Sequence, residues 1–253
     1  MPQENKTPKG LLDKYPWIIY LLPFVVFGIG TAFEPTPKTV GGAALGMAIP
    51  YHCYPWIYTA KIVLTTLSVL LVLPGYRQFP FKVNWLLSLA VGVIGVVAWI
   101  GLCKLDIERN VLGQLGLGKL IDLGARSSYD PFEQIADPVW AWGFLAVRLF
   151  GFAIVVSIIE EFFIRGFLMR FLVDQDWWEV PFGKVNTIAL VAGTAVPMLM
   201  HPAELLAAAV WFSAITWLML KTRNIWDCVV AHAMTNLLLG VYVVSTPGNW
   251  HLM

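Results

Sequence analysis

Two adjacent carboxylates, Glu160 and Glu161, and two arginines, Arg165 and Arg170, lie in IIEEFFIRGFLMR, a run otherwise apolar enough to cross a bilayer. An ionisable side chain at membrane depth costs at least about 2.5 to 3.5 kcal/mol, so four together require partners or a task. On a helix, Glu161 and Arg165 are four residues apart and share a face, which makes them an ion pair. Glu160 projects about 100° away from them, towards whatever another helix presents. A carboxylate held by an arginine beside one that is not is how an environment gives two acids different roles. Arg170, at the end of the run, is expected to anchor the membrane edge. The competing reading of the same residues is a buried network that only ties helices together.

Histidine supplies partners for Glu160. His52 and His251 fall in loop or tail contexts and are expected to be incidental, whereas His201 ends an apolar stretch just before Pro202. His232 lies within another apolar stretch, with Asn236 four residues on and on the same helical face. A carboxylate and an imidazole together can take a proton from water and make it a nucleophile. A His and an Asn on one face can donate to the oxyanion that forms as a carbonyl becomes tetrahedral. No serine or cysteine stands in a comparable setting, so the chemistry expected of Glu160, His201, His232 and Asn236 is hydrolysis by activated water. Glu with two His would also suit zinc with an open fourth position, but HExxH is absent. Zinc is therefore the weaker alternative, and no cofactor is expected.

The elements that must position these residues are membrane helices. Of 253 residues, 58% are hydrophobic and 13% charged, too little polar surface to wrap a soluble globule of this size. The expected fold class is all-α, a polytopic bundle of about seven to eight transmembrane helices in a single integral membrane domain. A net charge of +1 excludes the basic stripe of a nucleic-acid binder; the expected surroundings are the lipid bilayer. Cys53, Cys103 and Cys228 have no CxxC spacing and read as small hydrophobes. The first fourteen residues are polar and lead into an apolar run with no small-residue cleavage site, which predicts an anchor rather than a removed signal peptide.

Apolar runs able to span the hydrocarbon core occur at 17–33, 54–73, 85–103, 149–170, 187–200, 203–220 and 227–244. Segment 39–49, TVGGAALGMAI, could be re-entrant or half of an eighth span. Lys61, within the second run, is expected to snorkel to an interface. Segment 104–138 is polar and glycine-rich and must lie outside the hydrocarbon, with a short interfacial helix expected near 112–123. A single helix over 139–173 would reach about 50 Å and overshoot the bilayer, so a span bounded by Arg148 and Arg170 is expected, with 139–245 supplying the catalytic helices. With seven spans, Lys6, Lys9, Lys14, Arg77, Lys82, Arg170, Lys184, Lys221 and Arg223 fall on one side, opposed only by Lys38 once the long polar loop is set aside. The positive-inside rule makes that side cytoplasmic, with the N-terminus inside, and a bacterial inner membrane is the expected location.

With these residues in view, the sequence resembles the CAAX protease and bacteriocin-processing family (CPBP, or Abi). Glu160, Glu161 and Arg165 match its EExxxR motif, His201 falls where its second histidine motif is expected, and His232 with Asn236 matches HxxxN. The turn of Arg223, Asn224 and Trp226 precedes the third motif as in the family, and the resemblance covers about residues 140 to 245. More narrowly, Ser128 to Phe132 (SYDPF) and the tail from Ala231 through Gly240 to Trp250 are similar to CAAX-protease-related proteins of bacterial exosortase systems. The resemblance implies an intramembrane glutamic-type endopeptidase. In it Glu160 would be the general base on water, assisted by His201, His232 and Asn236 would bind the oxyanion, and Glu161 with Arg165 would brace the site. It also implies a membrane-associated or C-terminally processed polypeptide substrate; the Ras-converting branch removes the last three residues of prenylated proteins at a cavity reached from the cytosol. The second motif usually reads FxxxH, and here Pro197 replaces the aromatic residue.

Three readings remain open on sequence: the endopeptidase, a silent scaffold or immunity-type partner, and a proton-coupled transporter, although no inverted repeat is visible. The first carries a geometric condition. If 203–220 crosses as a plain helix, His201 starts on the far side while His232 lies near the cytoplasmic end. The site then requires a tilted or shortened fifth span, broken at Pro197 and Pro202, that draws His201 into the membrane.

Overall fold

The structure is a computed structural model that describes residues 10–36, 49–116, 128–246 and 248–253. Its helices of eight or more residues are α1 (Ile18–Ala32), α2 (Tyr54–Tyr76), α3 (Trp85–Cys103), α4 (Ile107–Gln114), α5 (Pro138–Phe171), α6 (Thr187–Met200), α7 (Leu205–Thr222) and α8 (Ile225–Ser245). The protein is an all-α polytopic membrane bundle. α2, α3, α5, α7 and α8 are long and apolar enough to cross a bilayer, while α1 and α6 are apolar but shorter, at 15 and 14 residues. Residues 39–48 and 117–127 lie outside the described set, so neither the ambiguous early segment nor most of the expected interfacial helix is placed. Among the described residues of that loop, α4 covers Ile107–Gln114 and a single helical turn covers Pro131–Gln134.

Local sequence explains the helix starts. Asn84, Asp137, Asn186 and Asn224 cap α3, α5, α6 and α8, each side chain accepting a backbone N–H of the first turn at 2.8 to 3.3 Å. Pro138 then occupies the first position of α5, where its missing N–H costs nothing. The centre of the bundle is α8, laid closely along α3. At Gly92 a Cβ would come within 2.8 Å of the Ala231 carbonyl, and at Gly95 it would run into the Trp211 ring. Small residues let the helices approach this closely, and Thr235 Oγ1 fixes the register by donating to the Gly92 carbonyl at 2.9 Å. α7 packs on α3, α6 and α8, α5 packs along α8, and α1 pairs with α2.

Three expectations are corrected. α5 runs without a break for 34 residues, about 50 Å, instead of beginning as a span at Arg148. Arg148 is 1% exposed and donates to the carbonyls of Tyr129 and Met253, each at 2.5 Å, beneath the rings of Tyr54 and Trp250. The first turns of α5 are thus covered on this face by protein, and no lipid boundary is needed there. Burial also pushes the Tyr129 phenol above its ordinary pKa, against the opposing pull of Arg148. Lys61 does not snorkel: it is buried, paired with Glu34 and 4.2 Å from the centre of the Phe27 ring. Arg170 is not a headgroup anchor either, since its guanidinium is buried and pins the following loop through the carbonyls of Trp178 and Val180, at 3.0 and 2.9 Å.

Candidate functional site

Glu160 and Glu161 occupy a short α-helical stretch of α5, Val156–Glu161, between two π-helical segments, Gly151–Val155 and Phe162–Leu168. Glu161 is fully buried, and its two oxygens serve two partners. Oε2 lies 2.7 Å from Arg165 Nη1, the pair that helical spacing predicts, and Oε1 lies 2.8 Å from His232 Nδ1 of α8. Arg165 in turn donates to the Phe212 carbonyl of α7 at 3.3 Å. A chain of contacts therefore joins α7, α5 and α8 with one positive and one negative charge neutralising each other away from water.

The His232 ring lies between the two carboxylates. With Nδ1 beside Glu161, the proton on that nitrogen is fixed by the hydrogen-bond network. Nε2 is thereby turned towards Glu160, 4.0 Å from its Oε2. In the neutral ring Nε2 is an acceptor; it donates only in the doubly protonated ring. Asn236, one turn along α8, donates from Nδ2 to the Phe152 carbonyl at 2.9 Å. Phe152 belongs to the first π segment, where a widened turn changes the ladder of helical hydrogen bonds.

His201 reaches the same place because α6 is short. The helix is continuous through Pro197 and stops at Met200, so it is shortened without being broken at that proline. At its end the His201 N–H bonds Met198, three residues back. The Pro197 carbonyl instead accepts His201 Nδ1 at 2.9 Å, an orphan carbonyl at a helix C-terminus satisfied by a side chain. A carbonyl can only accept, so the proton sits on Nδ1 and Nε2 is the ring's remaining nitrogen. The ring meets Trp99 edge to face, with centroids 5.6 Å apart.

Glu160, His201, His232 and Asn236 line one cavity of about 30 Å³. A cavity needs about 10 to 15 Å³ to hold a water, so there is room for a water beside Glu160 and none for a peptide. Its walls are Trp99, Phe152, Trp211 and Phe212 with Val156, Thr235 and Leu239. Sequence reasoning had not assigned these aromatic walls; the only signal was their apolar helical spacing, which also describes core. The carbonyl acceptors of Phe152, Pro197 and Phe212 leave no mark in sequence. Among the described residues no three His, Cys, Asp or Glu side chains are grouped as a metal ion would need.

A fluoride-specific ion channel, FluC, from Rhodopseudomonas palustris is 32% identical over 98 residues, 37% of this chain and 76% of that protein. Apolar membrane helices draw on few residue types, so likeness at this level carries helices more readily than a site. No solved structure matches the chain. The family model described as type II CAAX prenyl endopeptidase Rce1-like matches residues 141–238, a stretch that contains Glu160, Glu161, Arg165, His201, His232 and Asn236. On that match residues 141–238 are an Rce1-like domain of the CAAX protease family, whose members are intramembrane proteases.

Proposed function

We propose that this protein is an intramembrane endopeptidase that hydrolyses a peptide bond with a water activated by Glu160. The observation that carries the reading is the convergence of Glu160, His201, His232 and Asn236 on one buried, water-sized cavity. Glu160 takes a proton from the water as its oxygen bonds to the scissile carbonyl carbon, and passes that proton to the departing amine as the C–N bond breaks. His201, with Nδ1 engaged on Pro197, assists through Nε2. Asn236 Nδ2 and His232 donate to the oxyanion, with Glu161 holding the imidazole in place through Nδ1. Glu161 and Arg165 hold His232 and α5 in register. The substrate class is a membrane-associated polypeptide cut near its C-terminus, entering from lipid at the side that bears the basic residues, which we place in the bacterial cytoplasm.

A carboxylate at the wall of this cavity repels an anion, which favours activation of a water there over passage of fluoride.

The test is Glu160→Gln, which keeps shape and removes basicity. With purified protein in detergent and a panel of CAAX-type and leader-type peptides, cleavage should fall by roughly 10²- to 10⁴-fold while melting temperature stays unchanged. Wild-type activity in the variant would overturn the assignment.

A further inference from the structure

A second, larger recess of about 460 Å³ opens at the end of the bundle where α7 ends and α3 and α8 begin. Lys82, Lys221 and Arg223 stand around it, all exposed, and the carboxylate among its lining residues is Asp227. That carboxylate is already committed. It is 2% exposed, and its oxygens accept from the Asn84 N–H at 2.7 Å, Ser88 Oγ at 2.9 Å and Asn224 Nδ2 at 3.2 Å. Asp227 thus ties α3 to α8 and offsets the positive ends of both helix dipoles. The three side-chain cations are left without a carboxylate partner among the described residues.

The backbone here is built to hold this arrangement. Arg223 sits in the left-handed region at φ 51°, capping α7. Gly183, itself at φ +83°, lies against it so closely that a Cβ would stand 3.1 Å from Arg223 Cγ. A strained non-glycine residue persists where the surroundings over-determine it, and such residues cluster at binding sites. Asn224 Nδ2 also bonds the Lys82 carbonyl, joining the two basic segments.

The rim identifies the level of the membrane. Phe81, Trp85 and Leu86 are exposed at 63%, 55% and 85%, and the Phe81 ring contacts those of Trp85 and Trp226. Aromatic side chains beside cations mark the zone where headgroups meet acyl chains. A charged recess with an apolar rim suits an amphiphile better than a free ion. We infer that this recess is a binding site for the phosphate of an anionic phospholipid headgroup, held by Lys82, Lys221 and Arg223. It shares α8 with the buried cavity, since Asp227 lies beneath one and His232 at the other, five residues on. The bound lipid therefore braces the end of the helix that carries His232.

The experiment is native mass spectrometry and thermal shift on delipidated protein in neutral detergent, titrated with phosphatidylglycerol, phosphatidylcholine or inorganic phosphate. The double variant Lys221→Gln/Arg223→Asn keeps an Asn that tolerates the left-handed backbone. Wild type should bind phosphatidylglycerol roughly 100-fold more tightly than phosphatidylcholine, as three basic residues near a charged lipid imply. The double variant, left with Lys82, should lose most of that preference while keeping its lipid-free melting temperature. Equal binding of the two lipids by wild type, or an unchanged preference in the variant, overturns the proposal. Displacement of phosphatidylglycerol by an equimolar amount of inorganic phosphate assigns the recess to a soluble anion and overturns it as well. The readout is binding, so failure of the peptidase reading would leave this result standing.

Discussion

His232 Nδ1 lies 2.8 Å from Glu161 Oε1, while its Nε2 faces Glu160 at 4.0 Å. One imidazole thus spans two neighbouring carboxylates of α5, and Glu161 divides its oxygens between that ring and Arg165. A residue expected to brace the site together with Arg165 also sets which nitrogen of His232 faces the cavity.

This arrangement makes Glu161→Gln a test of bracing. The amide keeps the volume but leaves the Arg165 guanidinium buried without its counter-charge, a loss of about 3 to 5 kcal/mol. Melting temperature in detergent should fall by several degrees and peptidase activity with it. The double variant Glu161→Gln/Arg165→Met should recover part of the stability and none of the activity. Unchanged melting and activity in Glu161→Gln would refute the bracing role.

Asn236 is expected to act on the reacting carbonyl. Asn236→Ala should lower kcat by about 10²- to 10³-fold with KM nearly unchanged, because the contact strengthens only as negative charge develops. A rise in KM with kcat preserved would instead make Asn236 a ground-state binding residue.

Arg148 carries a structural prediction. Its two bonds hold the segments containing Tyr129 and Met253 against α5; Tyr129 lies within, and Met253 three residues past, the stretches that suggested the narrower exosortase-associated likeness. Arg148→Met should cost about 2 to 5 kcal/mol and open residues 128–137 to limited proteolysis. Arg148→Lys should rescue little, since a lysine has no planar fork to reach both carbonyls. Wild-type protease resistance in both variants would contradict the clamp.

The zinc alternative has its own measurement. Purified protein should carry well under one metal per chain by elemental mass spectrometry, and activity should survive chelation. Stoichiometric zinc together with chelator-sensitive cleavage would replace the glutamate-only reading with a metal-bound water.

What was legible in the chain followed from range. The Glu161–Arg165 pair is local, so helical spacing alone predicts it. The seven apolar runs show directly as hydropathy. The bond between His232 and Glu161, 71 residues apart, has no local signature, and the grouping of His201 with His232 could be anticipated only through motif order. Lys61 was misplaced because its partner Glu34 lies beyond the end of another helix. The start of α5 was misplaced because Arg148 finds protein acceptors, the carbonyls of Tyr129 and Met253, instead of marking a lipid boundary. The short α6 was foreseen as a requirement of the geometry, but its form, an intact helix ending at His201, depended on a carbonyl bond that side-chain identities do not reveal.

The π segment Gly151–Val155 separates two tasks along α5. Before it lies Arg148, facing the carbonyls of Tyr129 and Met253; after it lies Glu160, facing the cavity. Such a turn absorbs one extra residue, which shifts the phase of everything beyond it by about 100°. The segment therefore acts as a phase adjuster between clamp and carboxylates. Deleting one residue from it would leave a good straight helix in which Arg148 and Glu160 could no longer both meet their partners.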